Sequence, residues 1–145
     1  MKVQRIYTKK GQGPYATIKF HKLSSEIRNP DGSVVFKQDN IEVPAHWSQV
    51  ATDVLAQKYF RKAGVPQKTT VVKEEGIPDW LSPRAPVEGT EFGGESNAKQ
   101  VFDRLAGAWT YWGMKGGYFD SPEDAEAYYD EMRYMLAMQI GAPNS

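Results

Sequence analysis

The residue types that most often carry chemistry are sparse in this sequence of 145 residues. There is no cysteine, which excludes disulfides, zinc–thiolate sites, iron–sulfur clusters and thiol catalysis within the chain. The two histidines, His21 and His46, have neither a second histidine nor an acidic residue at metal-ligand spacing. No Gly-x-Ser-x-Gly turn is present to expose a serine nucleophile. The sequence therefore predicts no catalytic residue, no metal site and no cofactor site of its own.

Three glycine-bearing stretches were candidates for binding phosphate. They are "PDGS", "FGGES" and "MKGGYF", and none has the spacing of GxxxxGK[ST] or of a GxGxxG that leads from a strand into a helix. We interpret these glycines as turns.

An acidic run between Asp120 and Glu131 is the candidate for a cation site. An EF-hand places oxygen ligands at alternate positions around an invariant glycine, and this run does not. Acidic side chains in the first turns of a helix interact favourably with the helix dipole. We therefore interpret the run as the solvated start of a helix.

The stretch "AWTYWGMKGGYF", residues 108–119, contains five aromatic residues and three glycines. Proteins that bind single-stranded nucleic acid stack bases on exposed rings within a basic groove. Here Lys115 is the only cation, and Trp109 and Trp112 continue an apolar helical stripe that begins at Val101. We expect these rings to belong to a core or an interface, with base stacking by Trp109 to Phe119 as the alternative.

Composition argues against several partners. Lysine plus arginine and aspartate plus glutamate number 18 each, so the net charge is zero, whereas duplex-binding proteins usually carry a basic surplus. The N-terminus lacks the apolar core of a signal peptide, and no apolar run approaches the eighteen or so residues that a membrane span requires. We expect one cytoplasmic domain without a membrane partner.

The pattern of elements predicts an α+β fold that is mainly helical. Residues 1–44 read as short β-elements, with a strand at Tyr15–Phe20 and a hairpin turn at Asn29–Gly32, where proline and glycine occupy favoured turn positions. A helix is predicted within residues 45–64, capped by Ser48 and ended by a glycine. Its apolar face comprises Val50, Ala51, Val54, Leu55 and Tyr59.

The second half predicts a connection and then a helical hairpin. Residues 65–95 form a long Pro/Gly-rich segment, either irregular or anchored by Trp80 and Leu81. Residues 96–141 read as two amphipathic helices, the second starting with Ser121 as N-cap and proline at the first helical position. The predicted stripes are Val101, Phe102, Leu105, Ala108, Trp109 and Trp112 in the first helix, and Ala125, Tyr128, Tyr129, Met132, Met135, Leu136 and Ile140 in the second.

Two passages together resemble the N-terminal region of bacterial class II, adenosylcobalamin-dependent ribonucleotide reductases. They are "EIRNPDGSVVFKQDNIEVPAHWSQVATDVLAQKYFRKAGVP" and "AKQVFDRLAGAWTYWGMKGGYFDSPEDAEAYYDEMRYMLAMQIGAPNS". The resemblance covers about residues 24–66 and 92–145, and the proline-rich connection between them is the variable part.

The resemblance implies a role inside a larger enzyme. Reductases of this family carry the radical-forming and redox cysteines on an α/β barrel that follows the N-terminal region, and they use adenosylcobalamin to make deoxyribonucleotides by thiyl-radical chemistry for DNA synthesis and repair. Without cysteine, this segment is expected to be inactive alone and to pack on that barrel, supplied by the same or a separate polypeptide. A homodimer is also compatible with it.

The last residues carry the only site that the resemblance assigns. Residues 142–145 would begin the catalytic barrel, which makes the sequence a fragment of the enzyme. Ser145 would contact the ribonucleotide substrate, and Asn144 is a weaker candidate for the same role. Two other hypotheses remain open, a freestanding module that binds single-stranded nucleic acid and a purely structural assembly fragment. Whether the substrate is a diphosphate or a triphosphate is not decided by the sequence.

Overall fold

The protein is described by a computed structural model that covers residues 1–144. The α+β class predicted from the sequence is confirmed, although helices dominate only after residue 97. The elements in chain order are β1 Phe20–Arg28, β2 Val34–Pro44, α1 Gln49–Val54, a π-helical turn Leu55–Tyr59, β3 Val65–Pro66, β4 Thr69–Val71, β5 Arg84–Pro86, β6 Phe92–Gly93, α2 Ala98–Lys115 and α3 Pro122–Ala137.

The predicted hairpin is present as the antiparallel pair β1–β2. Its turn is closed by a 2.9 Å hydrogen bond from the Gly32 amide to the Asn29 carbonyl, with Gly32 at a φ of +88° that favours glycine. The strand predicted at Tyr15–Phe20 is wrong, because tight turns occupy those residues and β1 starts only at Phe20. β2 continues as one strand from the turn to Pro44.

The helix after the hairpin is shorter than predicted. Ser48 is its N-cap, as predicted, and accepts a 3.1 Å hydrogen bond from the Ala51 amide. The helix ends in the π-helical turn at Tyr59 rather than near Gly64. The reason is a long-range contact: the Arg61 amide donates to the Glu95 carboxylate at 2.7 Å, and the Arg61 carbonyl accepts from the Glu95 amide at 2.8 Å. These bonds replace the next helical turn.

The Pro/Gly-rich connection is more regular than predicted. Two short antiparallel pairs are nested within it, β3 with β6 and β4 with β5. Leu81 is buried, as the anchoring alternative expects, and the half-exposed Trp80 ring stacks on Tyr129 with centroids 5.6 Å apart. The connection therefore returns to the helices instead of crossing open solvent.

The core lies where the hairpin and α1 meet the two long helices. Ile41 and Val43 of β2 are fully buried against Val101 and Phe102 of α2 and Leu136 of α3. Burial of this apolar surface is the main favourable contribution to folding.

The helical hairpin has the predicted boundaries at its N-termini. Asn97 caps α2 by accepting from the Lys99 amide at 2.9 Å, and Ser121 caps α3 by accepting from the Asp124 amide at 3.2 Å. The aromatic stretch forms the last turns of α2 and the tight link to α3. In that link the Phe119 ring lies directly over Gly113, so that a Cβ added at Gly113 would be 2.6 Å from Phe119 Cε2.

This packing predicts opposite effects for two helical glycines. Gly113→Ala should destabilise the protein by about 1–3 kcal/mol, because the added methyl overlaps the Phe119 ring. Gly107→Ala is the matched control: its Cβ would be 3.8 Å from Tyr129, so it should stabilise α2 by about 0.5–1 kcal/mol through helix propensity. Urea unfolding of both variants measures the difference, and equal effects would contradict the described link.

Candidate functional site

The structure places the candidate site residues from the sequence in different parts of the fold. His21 lies in β1 and His46 in the turn after β2. Within residues 1–144, no group of three or more histidine, aspartate or glutamate side chains is placed to hold a metal ion. Asn144 is exposed next to the end of the described chain, and Ser145 lies outside the described residues.

The acidic run on α3 is not a solvated helix start throughout, which corrects the sequence interpretation. Asp130 and Glu131 are buried, with 6% and 5% of their surface exposed. An N-terminal arm, residues 1–8, lies along this helix and covers them. The arm belongs to no strand, so its amides need other acceptors. The Glu131 carboxylate accepts from the amides of Ile6, Tyr7 and Thr8, the last two at 3.0 and 2.9 Å.

Two further acidic residues bind the start of the arm, one in α3 and one just before it. Asp124 accepts from the Val3 amide at 2.9 Å, and the Met1 ammonium is paired with Asp120. Hydrogen bonds from the Val3 amide and the Ser121 hydroxyl hold the pKa of Asp124 below its usual value. For Glu131, burial alone would raise the pKa, but the three arm amides outweigh it and lower the pKa overall.

A partly buried ionic network continues from the arm into the protein. Arg5 pairs with Asp130 at 2.7 Å, and Asp130 pairs with Arg133 at 2.7 Å. Arg133 also reaches Asp103 of α2 at 3.3 Å, and the Tyr15 hydroxyl donates to Asp103 at 2.7 Å. Burial, followed by the Asp103 carboxylate, raises the pKa of Tyr15. The network therefore fastens the arm to both long helices, and it is structural because each charge is matched.

Another side of the helices carries an open apolar surface made of two grooves. The first, about 620 Å³, runs between α1, α2 and the segment after α3, and the second, about 340 Å³, lies between α2 and α3. The first is lined by Trp47, Ala51, Val54, Leu55, Tyr59, Val101, Phe102, Leu105, Leu136, Gln139 and residues 141–143. The second is lined by Trp109, Tyr128, Met132, Met135, Leu136 and residues 141–143. Among residues 1–144, those that line the two grooves include no charged side chain.

The grooves are the outer halves of the apolar stripes seen in the sequence. In α2, Val101 and Phe102 are buried, whereas Leu105 and Trp109 are half-buried. Where α1 meets the π-helical turn the contrast is sharper, because Leu55 is 6% exposed and Val54, one residue earlier, is 42% exposed. The chain's own core thus uses only part of each stripe.

The aromatic stretch does not form the basic groove that base stacking requires. Trp112 is 64% exposed, but Trp109 is half-buried and lines the uncharged second groove. The one cation of the stretch, Lys115, lies 3.9 Å from the Glu74 carboxylate. The surface around these rings favours an apolar partner over a phosphate backbone. None of the helices within residues 1–144 has the length and apolar character needed to cross a membrane.

Comparison with known proteins gives one consistent family. A family described as class II vitamin B12-dependent ribonucleotide reductase matches residues 21–139. A Bradyrhizobium diazoefficiens protein named vitamin B12-dependent ribonucleotide reductase is 60% identical over all of this chain, and the match covers 12% of that protein. An Agrobacterium fabrum protein of the same name is 55% identical with the same coverage, and a Rhodopirellula baltica one is 33% identical over 93% of this chain and 11% of its own length. The chain thus spans about 12% of the length of the first two relatives.

The arm contacts predict that Glu131→Gln is destabilising. The amide group would present N–H donors to arm amides that themselves donate, leaving buried groups unpaired at a cost of about 1–3 kcal/mol. Glu75→Gln, at an exposed position in the connection, is the control and should change stability by less than about 0.5 kcal/mol. Urea unfolding at pH 7 compares the two variants, and equal stabilities would contradict the hydrogen bonds described between the arm and Glu131.

The same contacts predict a loss of stability in acid. Glu131 and Asp124 have lowered pKa values in the folded protein, so they bind protons more readily when the chain is unfolded. Their contribution is complete above the unfolded pKa values of about 4 and is lost as the pH falls through the lower folded values. Unfolding free energies measured from pH 6 down to pH 3 should therefore decrease, and Glu131→Gln should flatten the decrease. An unchanged slope in that variant would refute the assignment to Glu131.

Proposed function

The chain belongs to the class II vitamin B12-dependent ribonucleotide reductase family as its N-terminal region, and we propose that it works as a non-catalytic domain that packs on the remainder of the enzyme. The observation that carries this proposal is the apolar surface of the two grooves, which the chain does not cover itself. Large uncovered apolar surfaces mark sites of association.

The proposed reaction of the whole enzyme is the conversion of ribonucleotides to deoxyribonucleotides by thiyl-radical chemistry, which supplies DNA synthesis and repair in the cytoplasm. A thiyl radical forms on a cysteine sulfur, and this chain contains no cysteine. The radical and the redox cysteines therefore belong to the remainder. The matched relatives are long enough to contain such a remainder, because the part that matches this chain is only 12% of their length.

The residues that line the two grooves do not fit adenosylcobalamin. The two grooves within residues 1–144 are uncharged and contain no histidine to coordinate cobalt, and Gln139 is the one amide side chain among their lining residues. A corrin ring carries several polar amide side chains that need hydrogen-bonding partners. We place the cofactor on the remainder of the enzyme and assign this domain no step that passes through it.

The proposed contribution to substrate binding is limited to the end of the sequence. Residues 142–145 would lead into the catalytic barrel, with Ser145 contacting the ribonucleotide and Asn144 beside it. Support comes from the position of the segment, because residues 141–143 line both grooves and Asn144 is exposed immediately after them. The proposed substrate contact is therefore adjacent in sequence to the residues that line the grooves.

A complementation experiment tests the proposed role. The chain and a second polypeptide carrying the remainder of the reductase are purified separately, mixed, and assayed for cobalamin-dependent deoxyribonucleotide formation. We expect activity from the mixture well above that of the remainder alone, and none from the chain alone. A mixture no more active than the remainder would contradict the proposal.

A further inference from the structure

We propose that the N-terminal arm, residues 1–8, detaches from α3 in acid as a unit of its own while the core stays folded. The inference goes beyond the proposed function and does not depend on it. It combines the polar character of the arm's contacts, their convergence on carboxylates of one helix, and a glycine-bearing loop that joins the arm to the core.

The contacts that hold the arm are mostly polar. None of residues 1–8 is buried, and the apolar side chain of Ile6 is 76% exposed. The ring of Tyr7 stacks on Tyr134 with centroids 5.1 Å apart, but both rings lie outside the hydrophobic core cluster. A segment with few buried apolar contacts opens at a smaller free energy than the core does. The arm is therefore suited to open before the rest of the domain unfolds.

Four carboxylates on or just before α3 hold the arm, and their protonation is coupled to its release. They are Asp120, Asp124, Asp130 and Glu131. Burial alone would raise the pKa of Glu131, but the arm amides outweigh it and lower the pKa, and the Val3 amide lowers the pKa of Asp124. Once the arm has left, both side chains return towards ordinary pKa values of about 4 and bind protons more readily. Attachment is therefore complete above about pH 4 and weakens as the pH falls through the lower attached values.

The other charged and titratable groups around these carboxylates leave this response in place. They are the Met1 ammonium and Lys2 beside Asp124, Arg5 and Arg133 beside Asp130, Asp103 and Tyr15 on the far side of Arg133, and Tyr134 beneath Tyr7. Ammonium and guanidinium groups remain charged below pH 7, and so do not take up the protons that accompany release. The carboxylates that the arm contacts are the groups whose protonation changes.

The body keeps its own contacts when the arm leaves. Asp130 retains its 2.7 Å pair with Arg133 after Arg5 departs, so this buried carboxylate is not left alone. Leu136 remains in the core, and the Trp47 indole still donates to the carbonyl at the end of α3 at 2.8 Å. Release of the arm therefore leaves α3 in place.

Residues 9–13, "KKGQG", form the loop about which the arm moves. All five are exposed, and the chain turns at Gly11, which has a φ of +80°. The Gln12 amide closes this turn by donating to the Lys9 carbonyl at 3.1 Å. Beyond the loop, the Tyr15 hydroxyl is bonded to α2 at 2.7 Å. The arm is thus able to swing away without displacing the segment that follows it.

Hydrogen–deuterium exchange of the full-length reductase tests the proposal. Mass spectrometry measures protection factors, corrected for the pH dependence of intrinsic exchange, for the arm and for residues 41–43 of β2. We expect the arm to be at least about tenfold less protected than β2 at each pH. Its protection should fall by about tenfold between pH 7 and pH 3.5, because the carboxylates bind protons as the arm leaves.

A matched pair of variants assigns the response to the arm carboxylates. Glu131→Gln and Glu123→Gln make the same change on α3, but Glu123 is exposed in the first helical turn and is not one of the four carboxylates that hold the arm. At pH 7, Glu131→Gln should lower the protection of the arm by about tenfold or more. Glu123→Gln should leave it within about twofold. In both variants β2 should stay more protected than the arm.

Equal protection of the arm and β2 at every pH would show that the two unfold together. Arm protection that does not change between pH 7 and pH 3.5 would show that the carboxylates do not control attachment. Either result overturns the proposal, and so would equal effects of the two variants on the arm.

Discussion

An N-terminal arm that lies on a helix has no neighbouring strand to accept its amide hydrogen bonds, so side chains of the helix must accept them. The Glu131 carboxylate receives three successive amides of the arm, while Arg5 brings its charge to Asp130 alongside. Buried carboxylates are costly unless they are fully hydrogen-bonded or paired, and here the arm supplies the donors. The arm thereby covers the acidic face of α3, and the apolar side chains that line the second groove remain uncovered.

The open surface follows from the same division of α3. The arm covers the acidic face of α3, and Leu136 packs in the core, whereas Met132 and Met135 line the open second groove. Arg133 of α3 pairs with Asp103 of α2, which adds a polar contact between the two helices whose side chains line the second groove. The open grooves and the arm lie on different sides of this helix pair.

Local signals in the sequence predicted the hairpin turn and the helix N-termini, but they did not predict which distant residues each element contacts. Ser48 and Ser121 were identified as caps because a cap is recognised from its immediate neighbours. The buried role of Glu131 had no such signal, since its donors lie more than 120 residues earlier and acids at a helix start look the same when solvated. The early end of the helix at Tyr59 likewise depends on Glu95, far along the chain. The apolar stripes were visible, but periodicity does not tell which chain covers them.

The position of residues 141–143, near the end of the sequence and after every core element, bears on how the domain folds during synthesis. A ribosome synthesises the chain from its N-terminus, and the core, arm and ionic network are all encoded before that segment. Folding can therefore be completed while the grooves still face solvent. During that interval the nascent domain exposes methionine and tryptophan side chains, a surface that chaperones recognise and that aggregation exploits.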